Sequence, residues 1–290
     1  MHSPTLADPY AKPNWLRSLV TPVLYGLHAV LPRSTYQALY TPAFASYRAM
    51  IRHGYRRRLE RARKAGDQRR VECMERVLAV MPHSLVGTDG LEHTHNLARD
   101  TVQRGVRGAF VECGVAQGGC AALLASVAAA DREDRECWFF DSYEGLPDPT
   151  HEDFVEGKTG RHVRPLPKGS CLGTYDQVAN LLFEQFGFDR RRVHMVQGWF
   201  QDTLPPTARR IGPIAILRVD GDWYASTMCC LQTLYPLVAP GGHVIIDDYF
   251  SCFGARKATD EFIANHLPGT TLIPDGRGGA SFTRPVRAAA

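Results

Sequence analysis

The sequence predicts a doubly wound α/β fold, a mostly parallel sheet wrapped by helices. The expectation rests on the alternation of short apolar runs with helical stretches from Ala109 onward, on the acids that end several of those runs, and on the Gly/Pro turns between them. A chain of 290 residues, 44% of them hydrophobic and 22% charged, is long enough to bury one full core with an appendage. We therefore expect a helical extension over residues 1–80, acting as a lid or in oligomerisation, and a catalytic domain over 81–290.

Trp15 to Pro32 is apolar, but Arg17, Pro22 and His28 interrupt it and it falls short of a spanning length. Leu16, Leu19, Val20, Val23, Leu24, Leu27 and Val30 follow helical spacing, which predicts an amphipathic helix docking on the main body or on a second copy, without stable membrane insertion. A homo-oligomer is the corresponding expectation. The stretch IRHGYRRRLERARKAGDQRR, Ile51 to Arg70, reads as a solvated helix face. Its single tyrosine, Tyr55, makes no interleaved stacking set and no recognition motif accompanies the charge, so no nucleic-acid partner is expected. The 29 Arg against 5 Lys receive no functional weight. No basic segment leads into an uninterrupted apolar core at the N-terminus, so export is not expected. Eight Cys without a CxxC pair or a zinc spacing suit reduced thiols in the cytoplasm.

The strand expectations follow in order: AFVECGV, CWFFDS, RVHMVQG, IAILRVD, HVIIDDY, TLIPDG and ASFTRP. Between them AALLASVAAA, TYDQVANLLFEQFG, STMCCLQTLYPLV and KATDEFIANHL read as helices. Thr174 with Gln177 makes a capping box for the helix that Gly187 ends, and Pro240-Gly241-Gly242 reads as the turn into the HVIIDDY strand. Gly145 to Gly173, rich in Pro, Gly and charge, is long for an internal connection and is expected to cover the site.

VECGVAQGG, Val111 to Gly119, ends the first strand in an acid and a glycine-rich turn, but not with the GxGxxG spacing of a pyrophosphate site. Glu112 and the Gly114 backbone suit the amino and carboxylate groups of an amino-acid-like moiety. Asp141, ending the next strand, stands where such folds hold ribose hydroxyls. Alone, Glu112 reads equally as a satisfied structural acid and Asp141 as a helix cap. Together they point to a nucleoside joined to an amino acid, hence S-adenosylmethionine ahead of NAD. Farther on, Asp220 and Asp222 end one strand and Asp247 and Asp248 the next. Four carboxylates converging at neighbouring strand ends need a cation, and a set of oxygen ligands selects Mg²⁺ ahead of Mn²⁺, Ca²⁺ or zinc.

In this order VECGVAQGG, DSYEGLP, QGWFQDTLP, LRVDGDWYASTM and PGGHVIIDDY resemble the macrocin O-methyltransferase (TylF-like) family over about Pro82 to Leu267. The resemblance implies a class I methyltransferase, Rossmann-like with a mostly parallel seven-stranded sheet. It implies that Asp220, Asp247 and Asp248 bind Mg²⁺ and that Asp222 is the general base. It also implies a cofactor lined by Leu85 and Val86 of SLVG, by Glu112, Cys113, Gly114, Val115 and Ala116, by Asp141, Ser142 and Gly145, and by Gln197, Gly198 and Trp199, with Asp220 shared between cofactor and metal. The acceptor would be a small molecule with a hydroxyl, a sugar of a glycosylated natural product, with a catechol or other diol as the alternative. Two rivals stand beside it. Asp220-Gly221-Asp222 also reads as the DxD of a metal-dependent glycosyltransferase, and the Arg-rich stretch allows an RNA-binding adaptor on a methyltransferase scaffold.

Overall fold

A computed structural model describes residues 15–131 and 133–286, those at 15–17 by backbone alone. Strands β1 (Ala109–Cys113), β2 (Cys137–Asp141), β3 (Val193–Gln197), β4 (Ile214–Val219), β5 (Val238–Ile246), β6 (Ile273–Pro274) and β7 (Ala280–Thr283) form one sheet in the order β3-β2-β1-β4-β5-β7-β6. β1 to β5 pair in parallel, and β7 runs antiparallel to both β5 and β6. The chain winds outward from β1 in one direction and from β4 in the other. The switch point therefore lies between β1 and β4, and a crevice opens beyond their carboxyl ends.

Alternation along the strands builds two cores. Phe110, Cys137 and Phe139 face one side, while Val111, Trp138 and Phe140 face the other. The first face is covered by α3 (Gln68–Val80), α4 (Thr88–Gln103) and α5 (Gly119–Ala129), through Met74, Val77, Leu91, Leu123 and Leu124. The second is covered by α7 (Phe200–Ile211), α8 (Tyr224–Leu234) and α9 (Phe253–His266), through Leu204, Leu231 and Phe262. Both faces are buried, so β1 and β4 are apolar at nearly every position.

Before these stand α1 (Trp15–Val30) and α2 (Arg33–Lys64). α2 contributes Tyr55, Leu59 and Ala62 to the first core. Its basic residues are mostly exposed, yet several bind intramolecularly: Arg48 donates to the Met81 and Ser84 carbonyls at 2.6 and 3.0 Å, and Arg63 to Glu75 at 2.7 Å. On α1, Leu19, Val23 and Val30 are exposed. The Leu16 side chain lies outside the described residues. No helix among the described residues is long and apolar enough to cross a membrane.

The capping box forms as expected. Thr174 and Gln177 exchange bonds at 3.1 and 3.3 Å at the start of α6 (Tyr175–Ala179), which continues as a π turn over Asn180–Gln185 and stops at Gly187, φ 68°. Pro240-Gly241-Gly242 differs from its reading as a turn before the strand. β5 already begins at Val238, and these residues bulge out within it, between the pairs Ile214 with Val238 and Ile216 with His243.

Candidate functional site

The acids are brought together by register. Val219 pairs with Ile246, and the backbone N–H groups of Asp247 and Asp220 donate to the carbonyls of Val219 (3.0 Å) and Cys113 (2.8 Å). The chain thus leaves three neighbouring strands at one edge, and carboxylate oxygens of Asp220, Asp247 and Asp248 fall within 4.8 Å of one another.

Arg218 makes this tolerable. Fully buried on β4, it donates from Nη1 to Glu112 Oε1 (2.8 Å) and Asp220 Oδ2 (2.8 Å), and from Nη2 to Asp247 Oδ1. It was not a candidate from the sequence, although an Arg inside the apolar run IAILRV was a usable signal: a buried guanidinium needs several acceptors. Arg218 alone does not balance five acids. Burial, reinforced by like neighbours, pushes the Asp220 and Asp247 carboxyls up to about 7 against the pull of Arg218, and Glu112 up to about 8. Asp222 is held well above the usual carboxylate range by burial and then by Asp248 and Asp220, and Asp248 is raised by burial and Asp247. The arrangement lacks positive charge where carboxylate oxygens converge. This all-oxygen donor set fits a hard divalent ion, which would pull the same carboxyls back down.

These acids line a cavity of about 830 Å³. Gly114 and Ala116 from the first turn, Asp141, Ser142 and Gly145 from the second, and Gly198 with Trp199 after β3 line the adjoining wall. Leu85 and Val86 close it, their segment seated on the start of α5, where a Cβ on Gly119 would come within 2.5 Å of Ser84. Asp222, Asp247 and Asp248 line the cavity with Asp220.

Four expected cofactor residues do not line it. Glu112 and Cys113 are fully buried behind the turn and Val115 is 4% exposed, while Gln197 is exposed outside. Glu112 thus meets Arg218, which reaches it from the neighbouring strand. Asp141 is occupied by the fold on one side: Oδ2 accepts from the backbone of Val115 (2.7 Å) and Ala116 (2.9 Å), and Oδ1 from that of Tyr143 (2.7 Å), which ties the two turns together. Strain gathers here. Of the five non-glycine residues with positive φ among those described, Ala116, Cys171 and Asp222 line the cavity and Tyr143 adjoins it.

The long connection supplies Arg161, His162, Arg164 and Leu166 to the wall, and α1 and α2 add Val20, Leu24, Tyr40 and Phe44. The connection is stitched down. Asp153 accepts from the backbone of Thr150 (2.7 Å) and Tyr224 (2.6 Å), and the Arg161 N–H donates to Ser251 O (2.7 Å).

A switch-point crevice with a glycine turn on one strand, an acid on the next and a carboxylate cluster beyond belongs to the Rossmann-like methyltransferases. The solved structure described as the O-methyltransferase NovP superposes with a TM-score of 0.62 at 32% identity, covering 70% of this chain and 83% of that one. The macrocin O-methyltransferase (TylF) family matches residues 21–272. A demethyldecarbamoylnovobiocin O-methyltransferase of Streptomyces niveus is 34% identical over 204 residues, 70% of this chain and 76% of the relative. An 8-demethyl-8-(2,3-dimethoxy-alpha-L-rhamnosyl)-tetracenomycin-C 4'-O-methyltransferase of Streptomyces olivaceus is 35% identical over 170 residues, 58% and 62% of the two chains. The chain belongs to the macrocin O-methyltransferase family and is an O-methyltransferase. The glycosyltransferase and RNA-adaptor readings fall with that assignment.

Proposed function

We propose that this O-methyltransferase moves a methyl group from S-adenosylmethionine to a sugar hydroxyl of a glycosylated natural product, with Mg²⁺ held by Asp220, Asp247 and Asp248. The observation that carries this reading is a single cavity lined by both the glycine turn with Asp141 and the four aspartates. The rhamnosyl group in the name of the Streptomyces olivaceus relative supports a sugar acceptor.

S-adenosylmethionine brings its methyl group on a sulfonium, so no covalent enzyme intermediate is needed. Its amino-acid and ribose portions would lie along the Gly114 to Ala116 turn and Asp141. Mg²⁺ would supply Lewis acidity toward neighbouring acceptor oxygens and the positive charge that keeps Asp222 ionised. Asp222 takes the hydroxyl proton: burial beside Asp248 and Asp220 raises its affinity for a proton, so it is a stronger base than an exposed carboxylate. The long connection and the walls of α1 and α2 exclude water and hold the acceptor in line with the methyl group.

The test is a methylation assay across glycosides and catechols, with Mg²⁺ and with EDTA, beside calorimetric titration with S-adenosylmethionine. We expect turnover on a glycoside that EDTA abolishes and Mg²⁺ restores. Undiminished turnover in EDTA would remove the metal from the mechanism, and turnover confined to catechols would reverse the acceptor.

A further inference from the structure

Exposed apolar side chains gather on the first two helices. Among the described residues sixteen large hydrophobic side chains are exposed, and nine of them lie between Leu19 and Ile51 on α1 and α2. α1 is apolar on more than one side: Val20 and Leu24 line the cavity, while Leu19 (62% exposed), Val23 (58%) and Val30 (82%) meet solvent. A helix that is apolar all round is one that something covers. On α2, Tyr40 and Phe44 line the cavity, whereas Leu39, Met50, Arg57, Arg61 and Lys64 are exposed. Steps of eleven, seven, four and three residues put those five on one stripe of the helix, apolar first and basic after.

Charge decides what covers this surface. From Ser18 to Leu59 there are six Arg and not one Asp or Glu. The side chains of Arg57, Arg61 and Lys64 have no hydrogen-bond or ion-pair partner among the described residues, whereas Arg58 is held by Glu92 and Arg63 by Glu60 and Glu75. A second copy docked through the same patch would set one acid-free surface against another, like charges opposed. An anionic bilayer meets both needs. Its acyl boundary takes the apolar side chains and its headgroups take the basic ones, the pair of signals that peripheral attachment requires. α1 has 16 residues with Pro22 among them, and no described helix is long and apolar enough to cross a membrane, so α1 would lie along the interface.

We propose that the exposed faces of α1 and α2 bind reversibly to a bilayer carrying anionic lipid, with Leu19, Val23 and Val30 entering the headgroup boundary and Arg57, Arg61 and Lys64 resting on the headgroups. Val20 and Leu24 of the same α1 wall the cavity, which is thereby held within about 10–12 Å of the lipid, one helix diameter. The attachment does not depend on which acceptor the cavity takes.

The test is co-sedimentation of the purified full chain with vesicles of phosphatidylcholine alone and of an equal mixture with phosphatidylglycerol. We expect partition into the mixed vesicles at about 0.1 M salt, none into phosphatidylcholine, and loss of most of the bound protein at about 1 M salt, where charges are screened. Arg57→Gln, Arg61→Gln and Lys64→Gln combined should weaken partition about 10²-fold, about fivefold for each charge. Leu19→Ser with Val30→Ser should weaken it at least about tenfold. All five positions are exposed, so both variants should keep the wild-type thermal midpoint. Equal partition into the two kinds of vesicle, no partition into the mixed ones, or wild-type partition of either variant overturns the proposal. If Leu19→Ser with Val30→Ser fails to fold, the basic triple variant decides alone. A wild type that is a dimer by analytical ultracentrifugation, ignores vesicles and is dissociated by Leu19→Ser with Val30→Ser would give the face to a second copy and overturn the lipid assignment.

Discussion

Arg218 is the residue on which the site turns. Its guanidinium holds Glu112, Asp220 and Asp247 at once, so removing it leaves buried carboxylates unpaired. Arg218→Met should lose about 3–5 kcal/mol, read as a lower urea midpoint at constant slope. If Asp222 is the base, as proposed, Asp222→Asn should keep S-adenosylmethionine binding by calorimetry and lose about 10²–10⁴-fold in turnover. His95, 1% exposed on α4, gives a pH signature. Burial and then Arg76 lower it to about 4 from 6.5, so the unfolded chain binds the extra proton first as pH falls. Stability from this group is intact above about pH 6.5 and is lost toward pH 4, by at most about 3 kcal/mol. Unfolding curves of His95→Leu should be flatter than wild type across that window.

The elements carry the site because strand ends, not loops, aim its acids. Strand positions were readable, since apolar runs bounded by glycine and proline leave little choice, and the Thr174 box announced its helix. Two helices were not anticipated. α4 holds a glycine in its first turn and α7 contains Pro205-Pro206, so breaker residues masked an amphipathic period that both helices carry. The bulge in β5 was hidden because Pro-Gly-Gly is the composition of a turn whether the strand precedes it or runs through it. The connection over the cavity hangs on Asp153, which is fully buried. Asp153→Ala should cost about 1–3 kcal/mol by unfolding and expose residues 145–173 to limited proteolysis, while Glu156→Gln, on an exposed turn of the same connection, should do neither.

At the scale of the whole molecule, the helical segment before residue 81 is not uniform. Val71, Met74, Val77 and Val80 of α3 sit in the same core as the sheet, whereas α1 shows mostly exposed side chains. Deleting residues 1–32 should leave one cooperative thermal transition and raise the acceptor KM, because Val20 and Leu24 leave the cavity wall. Deleting 1–80 should abolish that transition by uncovering one face of the sheet, which calorimetry would detect.

The sequence by itself determined the alternation of strands and helices, the acids at four strand ends, and the ordered motifs that mark the family, because all of these are local patterns of period, turn chemistry and spacing. Only the tertiary structure decided which acids meet, that Glu112 meets Arg218 behind the cavity, and that Cys252 lies against a His 90 residues away. Those pairings depend on strand order and on how a long connection folds back over the sheet, and neither is encoded in the spacing of residues along the chain.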